Sequence, residues 1–197
     1  MSSEVEALPG EKPRQGHVPG EPGLWLFLML DMVMFGIFFS VISVLRARHT
    51  EEFTASQQTL HLHWGVANTI ILLTSSLFVA IGVHLARARH HRAPVCFLAA
   101  AACGLMFAGI KAIEYTTLIH DHHTASANDF YKYYFMFTGI HLGHVVLGTG
   151  ACIAASRFAR PTSTGTHRMA IIEGLASFWH LVDLLWIMLF ATLYLVR

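Results

Sequence analysis

The chain has 197 residues, of which 54% are hydrophobic and 13% are charged, and its mean hydropathy is +0.52. Soluble domains are about 45–50% apolar and about 25% charged, so this composition argues against a water-soluble protein. The formal net charge of +1 lacks the strong basic excess that nucleic-acid binding requires, so no nucleic-acid partner is expected. The length allows a single domain.

Five segments are long and apolar enough to cross a membrane, because a hydrocarbon core of about 30 Å requires about 20 apolar residues in a helix. In chain order they are Gly23–Leu45, Gly65–Ala86, Val95–Ile119, Tyr133–Ala155 and Met169–Val196. The segments between them are too short for a separate domain. The sequence therefore predicts an all-α, polytopic membrane protein, with a bundle of five transmembrane helices over residues 21–197.

Residues 1–20 are polar and contain three prolines, without the apolar region of a signal peptide, and are predicted to form a flexible cytoplasmic tail. The basic residues of the tail and of the second and fourth loops should also be cytoplasmic: Lys12, Arg14, Arg87, Arg89, Arg92, Arg157, Arg160 and Arg168. Arg46, Arg48, Lys132 and Arg197 fall on the other side. The positive-inside bias therefore predicts a cytoplasmic N-terminus and a C-terminus outside.

Ionisable residues within the predicted spans carry the most information, because a charge near the bilayer centre is costly and rare. They are Asp31, Lys111, Glu114, His141, His144, Glu173, His180 and Asp183. Lys111 and Glu114 are three residues apart and share a helix face. Such a pair is either part of a proton relay or a mutual neutralisation that permits burial, and the pattern favours the second.

The histidines extend this polar set across three spans. His141 and His144 share a helix face, as do His180 and Asp183. Counting inward from the loops places His144 and His180 at a similar middle depth, with His141 nearer to Glu114. These residues predict a polar seam, a line of polar side chains that joins the third, fourth and fifth spans. Asp31, in the first span, is not part of this seam.

A metal site is the alternative explanation of these histidines. A carboxylate-bridged di-metal bundle requires Glu-x-x-His ligand pairs, and none occurs in the spans. A bis-histidine haem site would need His144 and His180 on facing helices, a condition that their depths meet only loosely. The remaining histidine clusters, at residues 90–91 and 120–123, lie in loops on opposite sides. We therefore expect interhelical hydrogen bonding and no bound metal.

Asp31 is the isolated member of the set. It lies in the otherwise unbroken apolar run LWLFLMLDMVMFGIFF, with no basic partner on its own helix. Two interpretations remain open. Asp31 is either a neutral, protonated carboxyl at a helix interface or a carboxyl that exchanges protons near a proton entrance.

Four motifs occur in the last four predicted spans. In chain order they are NTIILLTSS over residues 68–76, GLMFAGIKAIEY over 104–115, YYFMFTGIHLGHVVLG over 133–148 and EGLASFWHLVDLLWIMLFATLY over 173–194. They are similar to the patterns NTxxLLxSS, the helix-three EY, TGxHxxHVxxG and E…WHxVDxxW, and together they resemble the subunit III family of haem–copper oxidases. The resemblance covers nearly the whole chain after residue 20.

The resemblance implies the short, five-helix form of the family, which begins at the third helix of the seven-helix members. Asp31 matches a family carboxylate, usually glutamate, that is linked to proton uptake and to reaction with carbodiimides. Asp31 and the preceding PGEPG, over residues 19–23, resemble the branch associated with nitric oxide reductase (the NorE type) or quinol-oxidase subunit III.

The function implied is that of a non-catalytic accessory subunit in a bacterial plasma membrane. Family members dock on the catalytic subunit I, bind phospholipid and support proton uptake during aerobic electron transport. Haem and copper would then belong to the partner, and the chain would have no cofactor or active site of its own. The residues Lys111, Glu114, His141, His144, Glu173, His180 and Asp183 would mainly be an interhelical polar lock. The alternatives are a nitric-oxide-reductase-associated subunit and a stand-alone membrane haem or metal enzyme.

Overall fold

The computed structural model describes residues 22–48, 50–58, 60, 62–121, 129–160 and 166–195. The tail predicted over residues 1–20 lies outside these ranges. The helices are α1 (Pro22–Arg48), α2 (Thr50–Gln58), α3 (Leu62–Arg87), α4 (Ala93–His120), α5 (Asp129–Phe158) and α6 (Thr166–Phe190), and a π-helical turn, Ala191–Leu195, continues α6. No strand occurs in these ranges, so the all-α prediction is confirmed.

Five of the helices, α1 and α3 to α6, are long and apolar enough to cross a membrane, which confirms the five predicted spans. Helices α1 and α3 to α5 extend beyond the predicted apolar segments at both ends, and α6 begins three residues before its predicted segment. A helix can continue past the apolar core of a bilayer into the headgroup region. The short helix α2, with the polar sequence TEEFTASQQ, was not predicted. Its Phe53 packs edge-on against Phe130 at the start of α5, with ring centroids 5.5 Å apart.

The spans alternate in direction. We call the side on which α1 begins the N side, and the side on which α6 and its π-helical turn end the C side. Which of the two is cytoplasmic stays a prediction. The helices α3, α4, α5 and α6 pack against one another as a ring, and α1 lies outside it. Phe27 and Phe38 of α1 pack against Phe178 of α6 and Phe137 of α5, respectively.

The helix α6 occupies the most buried position among the spans. In its apolar window 61% of the residues are buried, compared with 22% for α1. Trp179 of α6 is fully buried, and a Cβ atom on Gly148 of α5 would lie 2.6 Å from its ring. A Cβ atom on Gly104 of α4 would lie 2.9 Å from the same indole. These two glycines therefore make room for the indole and allow α4 and α5 to approach α6 closely.

Candidate functional site

The largest buried polar cluster lies toward the C side and centres on Lys111 of α4. Its Nζ lies 2.9 Å from Oε2 of Glu114, three residues further along the same helix. The side chains are 0% and 2% exposed, so both charges are removed from lipid and water. A buried ion pair of this kind is stable only when hydrogen bonds satisfy the remaining polar atoms.

Two tyrosines from neighbouring elements supply those hydrogen bonds. Tyr134 of α5 donates to Oε1 of Glu114 over 2.8 Å, and Tyr194 of the π-helical turn donates to the same oxygen. Lys111 donates to both hydroxyl oxygens, over 3.1 Å to Tyr134 and 3.2 Å to Tyr194. All ammonium hydrogens and both carboxylate oxygens therefore have partners. We call these four residues the Lys111 cluster.

Aromatic rings surround the ammonium group of the cluster. The Nζ atom of Lys111 lies 4.9 Å from the ring centroid of Trp186 and 5.2 Å from that of Tyr134, within the range of cation–π attraction. Trp186 of α6 is in turn fixed by its indole N–H, which donates to Thr69 Oγ1 of α3 over 3.0 Å. The cluster and its aromatic neighbours therefore connect all four helices of the ring.

His141 of α5 packs as an aromatic ring beside this cluster. Its imidazole lies beside Trp186 with centroids 5.4 Å apart, and Phe107 of α4 contacts it edge-on at 5.7 Å. The side chain is fully buried, and neither ring nitrogen has a hydrogen-bond partner in the described ranges. The structure thus places His141 next to the Lys111 cluster without a hydrogen bond to Glu114.

Asp31 of α1 has its partner on another helix. Its Oδ1 lies 3.0 Å from Nε2 of His144, near the middle of α5. Asp31 is 6% exposed, and its second oxygen, Oδ2, has no hydrogen-bond partner among the residues that the structure describes. Phe35, one turn along α1, contacts the same imidazole edge-on with centroids 5.7 Å apart. We call these two residues the Asp31–His144 pair.

The hydrogen bonds of His144 restrict the protonation of this pair. Its Nδ1 lies 2.9 Å from the carbonyl oxygen of Ile140, which can only accept, so Nδ1 carries a proton. The contact between Nε2 and Oδ1 then holds one further proton, on the imidazolium or on the carboxylic acid. Both forms have zero net charge, which suits the membrane interior. The pair can therefore hold a proton on either of two atoms 3.0 Å apart.

His180 of α6 points away from both groups, toward α3. Its Nδ1 lies 2.6 Å from Oγ of Ser76, and the side chain is exposed on the outer surface of the bundle. Asp183 lies three residues further on and is 4% exposed. Ser76 also faces the Asp183 carboxylate, but neither carboxylate oxygen has a partner with hydrogen-bond geometry within the described part of the chain.

Glu173 lies near the N side of α6, at the edge of the membrane-spanning region. Its Oε1 accepts hydrogen bonds from Nε and Nη2 of Arg87, at the end of α3, both over 2.9 Å. The Arg87 side chain is 60% exposed and that of Glu173 is 12% exposed, so the arginine lies at the surface and covers a carboxylate at the edge of the bundle. Glu173 therefore joins α6 to α3 at one end of the bundle rather than in its interior.

The predicted site residues thus occupy separate places. They form the pair Lys111–Glu114, the pair Asp31–His144, the surface pair of Glu173 with Arg87, the contact of His180 with Ser76, and the buried side chains of His141 and Asp183. His144 and His180 bond to different partners. Within the described ranges, no three His, Cys, Asp or Glu side chains converge as metal ligands would.

The sequence reasoning missed the hydroxyl partners of the buried charges. Tyr134 and Tyr194 appear in the sequence analysis only within apolar spans and family motifs, yet both donate to Glu114. Counting inward from the C-side ends of the helices places Tyr134 five residues and Glu114 six residues deep, whereas Tyr194 lies one residue from the end of the π-helical turn. Depth therefore signals Tyr134 as a partner of Glu114 but not Tyr194. Ser76 was likewise read only as part of a motif.

The comparisons with known proteins agree with this architecture. The family model for cytochrome c oxidase subunit III matches residues 21–196. The chain is 30% identical over 176 residues to cytochrome c oxidase subunit 3 of Thermostichus vulcanus, covering 88% of this chain and 86% of the relative. It is 27% identical to quinol oxidase subunit 3 of Bacillus subtilis strain 168, covering 88% and 85%.

A third relative is cytochrome bo(3) ubiquinol oxidase subunit 3 of Pseudomonas aeruginosa, with 29% identity over 88% of this chain and 83% of the relative. The relatives therefore include subunits of both cytochrome c and quinol oxidases, and the similarity spans the membrane helices that hold the buried charges. Because the family model matches the chain from residue 21 to residue 196, the chain belongs to the cytochrome c oxidase subunit III family of haem–copper oxidases.

Proposed function

We propose that this chain is the accessory subunit III of a bacterial respiratory terminal oxidase, held in the plasma membrane against the catalytic haem–copper subunit. The family match over nearly all of the described residues carries this proposal. In the proposed arrangement the N side faces the cytoplasm, as the distribution of basic residues predicts. The haems and copper belong to the partner, and this subunit contributes no redox centre and no active site.

We further propose that the Asp31–His144 pair supports proton uptake by the catalytic subunit. Asp31 and His144 share one proton between two atoms 3.0 Å apart, and Oδ2 of Asp31 is left without a described partner. This oxygen is free to accept a proton from a donor outside the pair. A proton accepted on Oδ2 gives the pair a net charge of +1 until this proton or the shared one is released, so the pair would carry the extra charge only during transfer.

We also propose that the subunit binds phospholipid. A shallow groove of about 580 Å³ runs along the exposed face of α1 and is lined by Val33, Gly36, Ile37, Ser40, Val41, Val44, Leu45 and Arg48. Its apolar floor suits an acyl chain, and Arg48 at the C-side end of α1 suits a lipid phosphate. This interaction also accounts for the basic residue Arg48 on the side predicted to face outward.

Oxygen is the terminal acceptor in this proposal, because the relatives reported above are named as subunits of cytochrome c or quinol oxidases. A nitric oxide reductase partner is the contrasting outcome, since the Asp31 region resembles that branch of the family. The two differ in the catalytic subunit that accompanies this chain and in the gas that the purified complex consumes.

Affinity purification of the tagged full-length chain from its native membrane tests the proposal. We expect a larger haem-containing subunit to accompany it, with oxygen consumption supported by a quinol or by reduced cytochrome c. Nitric oxide consumption without oxygen consumption would identify the other partner. A stoichiometric Soret band in the chain purified alone would contradict the accessory role.

A further inference from the structure

The outer surface of α6 carries an unusual polar side chain at the middle of the membrane. His180 is the thirteenth residue of the span that begins at Arg168, or about 18 Å from its N-side end at about 1.5 Å per residue. In the middle third of each span, His180 is the one exposed side chain with a nitrogen atom among the described residues. Lipid tails offer such a group no hydrogen-bond partner.

The exposed hydroxyls of the other spans do not create this problem. Ser40 and Ser43 of α1 and Thr74 of α3 each donate to the carbonyl four residues earlier in the same helix. His144 makes such a bond to Ile140, but His180 uses its Nδ1 to contact Ser76 of α3 instead. The second ring nitrogen, Nε2, has no partner within the described ranges and lies on an exposed side chain.

His180 belongs to a continuous strip along α6. The strip consists of Glu173, Ser177, His180, Leu184 and Ile187, at spacings of four, three, four and three residues, and all five are half-buried or exposed. This alternation of three and four residues is the pattern of a helix surface that packs against another helix. The N-side half of the strip is polar and its C-side half is apolar. We call it the α6 strip.

The other outward surfaces of the ring are different in composition. The exposed side chains in the middle of α4 and α5 include Leu105, Met106, Val146 and Leu147, all apolar. Those surfaces suit lipid directly, whereas the α6 strip has an imidazole at mid-depth, beyond a hydroxyl that donates to its own helix and a glutamate paired with Arg87. In transmembrane proteins, polar side chains of this kind face protein or a water-filled cavity rather than hydrocarbon.

We propose that the α6 strip is the docking surface for a transmembrane helix of the catalytic subunit, with a polar group of that helix bonded to His180. This inference rests on the proposed function, because it takes the partner from it. A helix fits the strip by spacing, and a hydroxyl, amide or carboxyl at mid-depth fits Nε2. The polar N-side half then sets the register of the two helices, and the apolar half supplies the packing.

Photocrosslinking in the intact complex tests the docking surface. The probe is p-benzoylphenylalanine in place of Leu184, which is 50% exposed on the strip, and the matched control places it at Met106, which is 53% exposed on α4. We expect the Leu184 probe to form an adduct with the catalytic subunit, identified by mass spectrometry, and the Met106 probe to form none. Adducts with lipid only, or with a second copy of this chain, would overturn the proposal.

Two substitutions at His180 separate docking from folding. Leucine is better suited than histidine to a lipid-facing site, so His180→Leu would leave retention unchanged or improve it if lipid covered the strip. If a polar helix covers it, His180→Leu lowers the retention of the subunit in the detergent-washed complex roughly tenfold, whereas His180→Gln keeps most of it. Equal retention of wild type and both variants would overturn the docking surface.

These outcomes are distinguishable from a failure of the proposed function. If the subunit purifies with the catalytic subunit but the Leu184 probe does not reach it, another face docks and the proposed function stands. If no oxidase subunit accompanies the chain at all, the proposed function fails, and the identity of the docked helix fails with it.

Discussion

The Lys111 cluster and the Asp31–His144 pair are both buried, both contain an acid and a base, and both can be neutral overall, yet they are built differently. In the cluster, two tyrosines complete the hydrogen bonding of both charges. In the pair, one carboxylate oxygen has no described partner, and the acid and base come from different helices. The cluster lies within the ring of α3 to α6, whereas the pair joins that ring to α1.

The difference separates a structural role from an exchange role. A fully hydrogen-bonded ion pair gains nothing by losing or accepting a proton, because either step would break several bonds at once. The pair at Asp31 can accept a proton on its open oxygen at a smaller cost. We therefore expect substitutions in the cluster to affect folding and assembly, and substitutions in the pair to affect mainly the activity of the complex.

The largest effect is expected for Lys111→Met. Removing the ammonium leaves Glu114 buried beside two tyrosines without its counter-charge, a change that typically costs about 3–5 kcal/mol. We expect the variant to be depleted from the membrane and from the assembled complex, measured by quantitative immunoblotting of both fractions.

The double variant Lys111→Met with Glu114→Gln is the matched control. It removes both charges, and the amide of Gln can still accept from the tyrosine hydroxyls. We expect it to recover much of the lost assembly. Normal assembly of the single variant would show that the cluster does not hold the bundle together.

A smaller effect is expected for His144→Phe. The ring is retained between its aromatic neighbours, but Asp31 loses its hydrogen-bond partner and must remain protonated. The loss of one buried hydrogen bond costs about 1–3 kcal/mol of unfolding free energy. Thermal unfolding of the detergent-purified chain, followed by circular dichroism, should therefore show less destabilisation than for Lys111→Met. A larger loss would mean that the pair, rather than the cluster, is the main structural lock.

The smallest of these effects is expected for Tyr194→Phe. The Glu114 oxygen that Tyr194 contacts still accepts from Tyr134, Lys111 keeps two of its three acceptors, and the ring itself is preserved. We expect a decrease of about 1 kcal/mol in the free energy of unfolding, with normal assembly. Complete loss of assembly would indicate that Tyr194 shares the role of Lys111 itself.

The five spans and the Lys111–Glu114 pair could be predicted because both depend on short-range patterns. A run of apolar residues indicates a span, and a spacing of three residues places two side chains on one helix face. The partner of Asp31 could not be derived in this way. Its identity depends on α1 packing against α5, and hydropathy does not determine which helices are neighbours.

His180 illustrates a second limit. The sequence correctly places His180 inside the fifth span. The prediction that His180 and Asp183 share a helix face, however, depends only on their spacing of three residues. The structure shows that Asp183 is buried while His180 is exposed toward α3. Residues three apart differ by about 60° around a helix, which is enough to place one in the core and the other at the surface.

Sustained turnover of the complex carrying Asp31→Asn tests the account most directly. The amide can still donate to Nε2 of His144 but cannot exchange a proton, so the packing is kept while the proposed chemistry is removed. We predict normal amounts of this subunit in the purified complex, together with slower proton uptake or earlier loss of activity over many turnovers. Wild-type proton uptake and wild-type rates throughout, at equal subunit content, would contradict the proton role of Asp31.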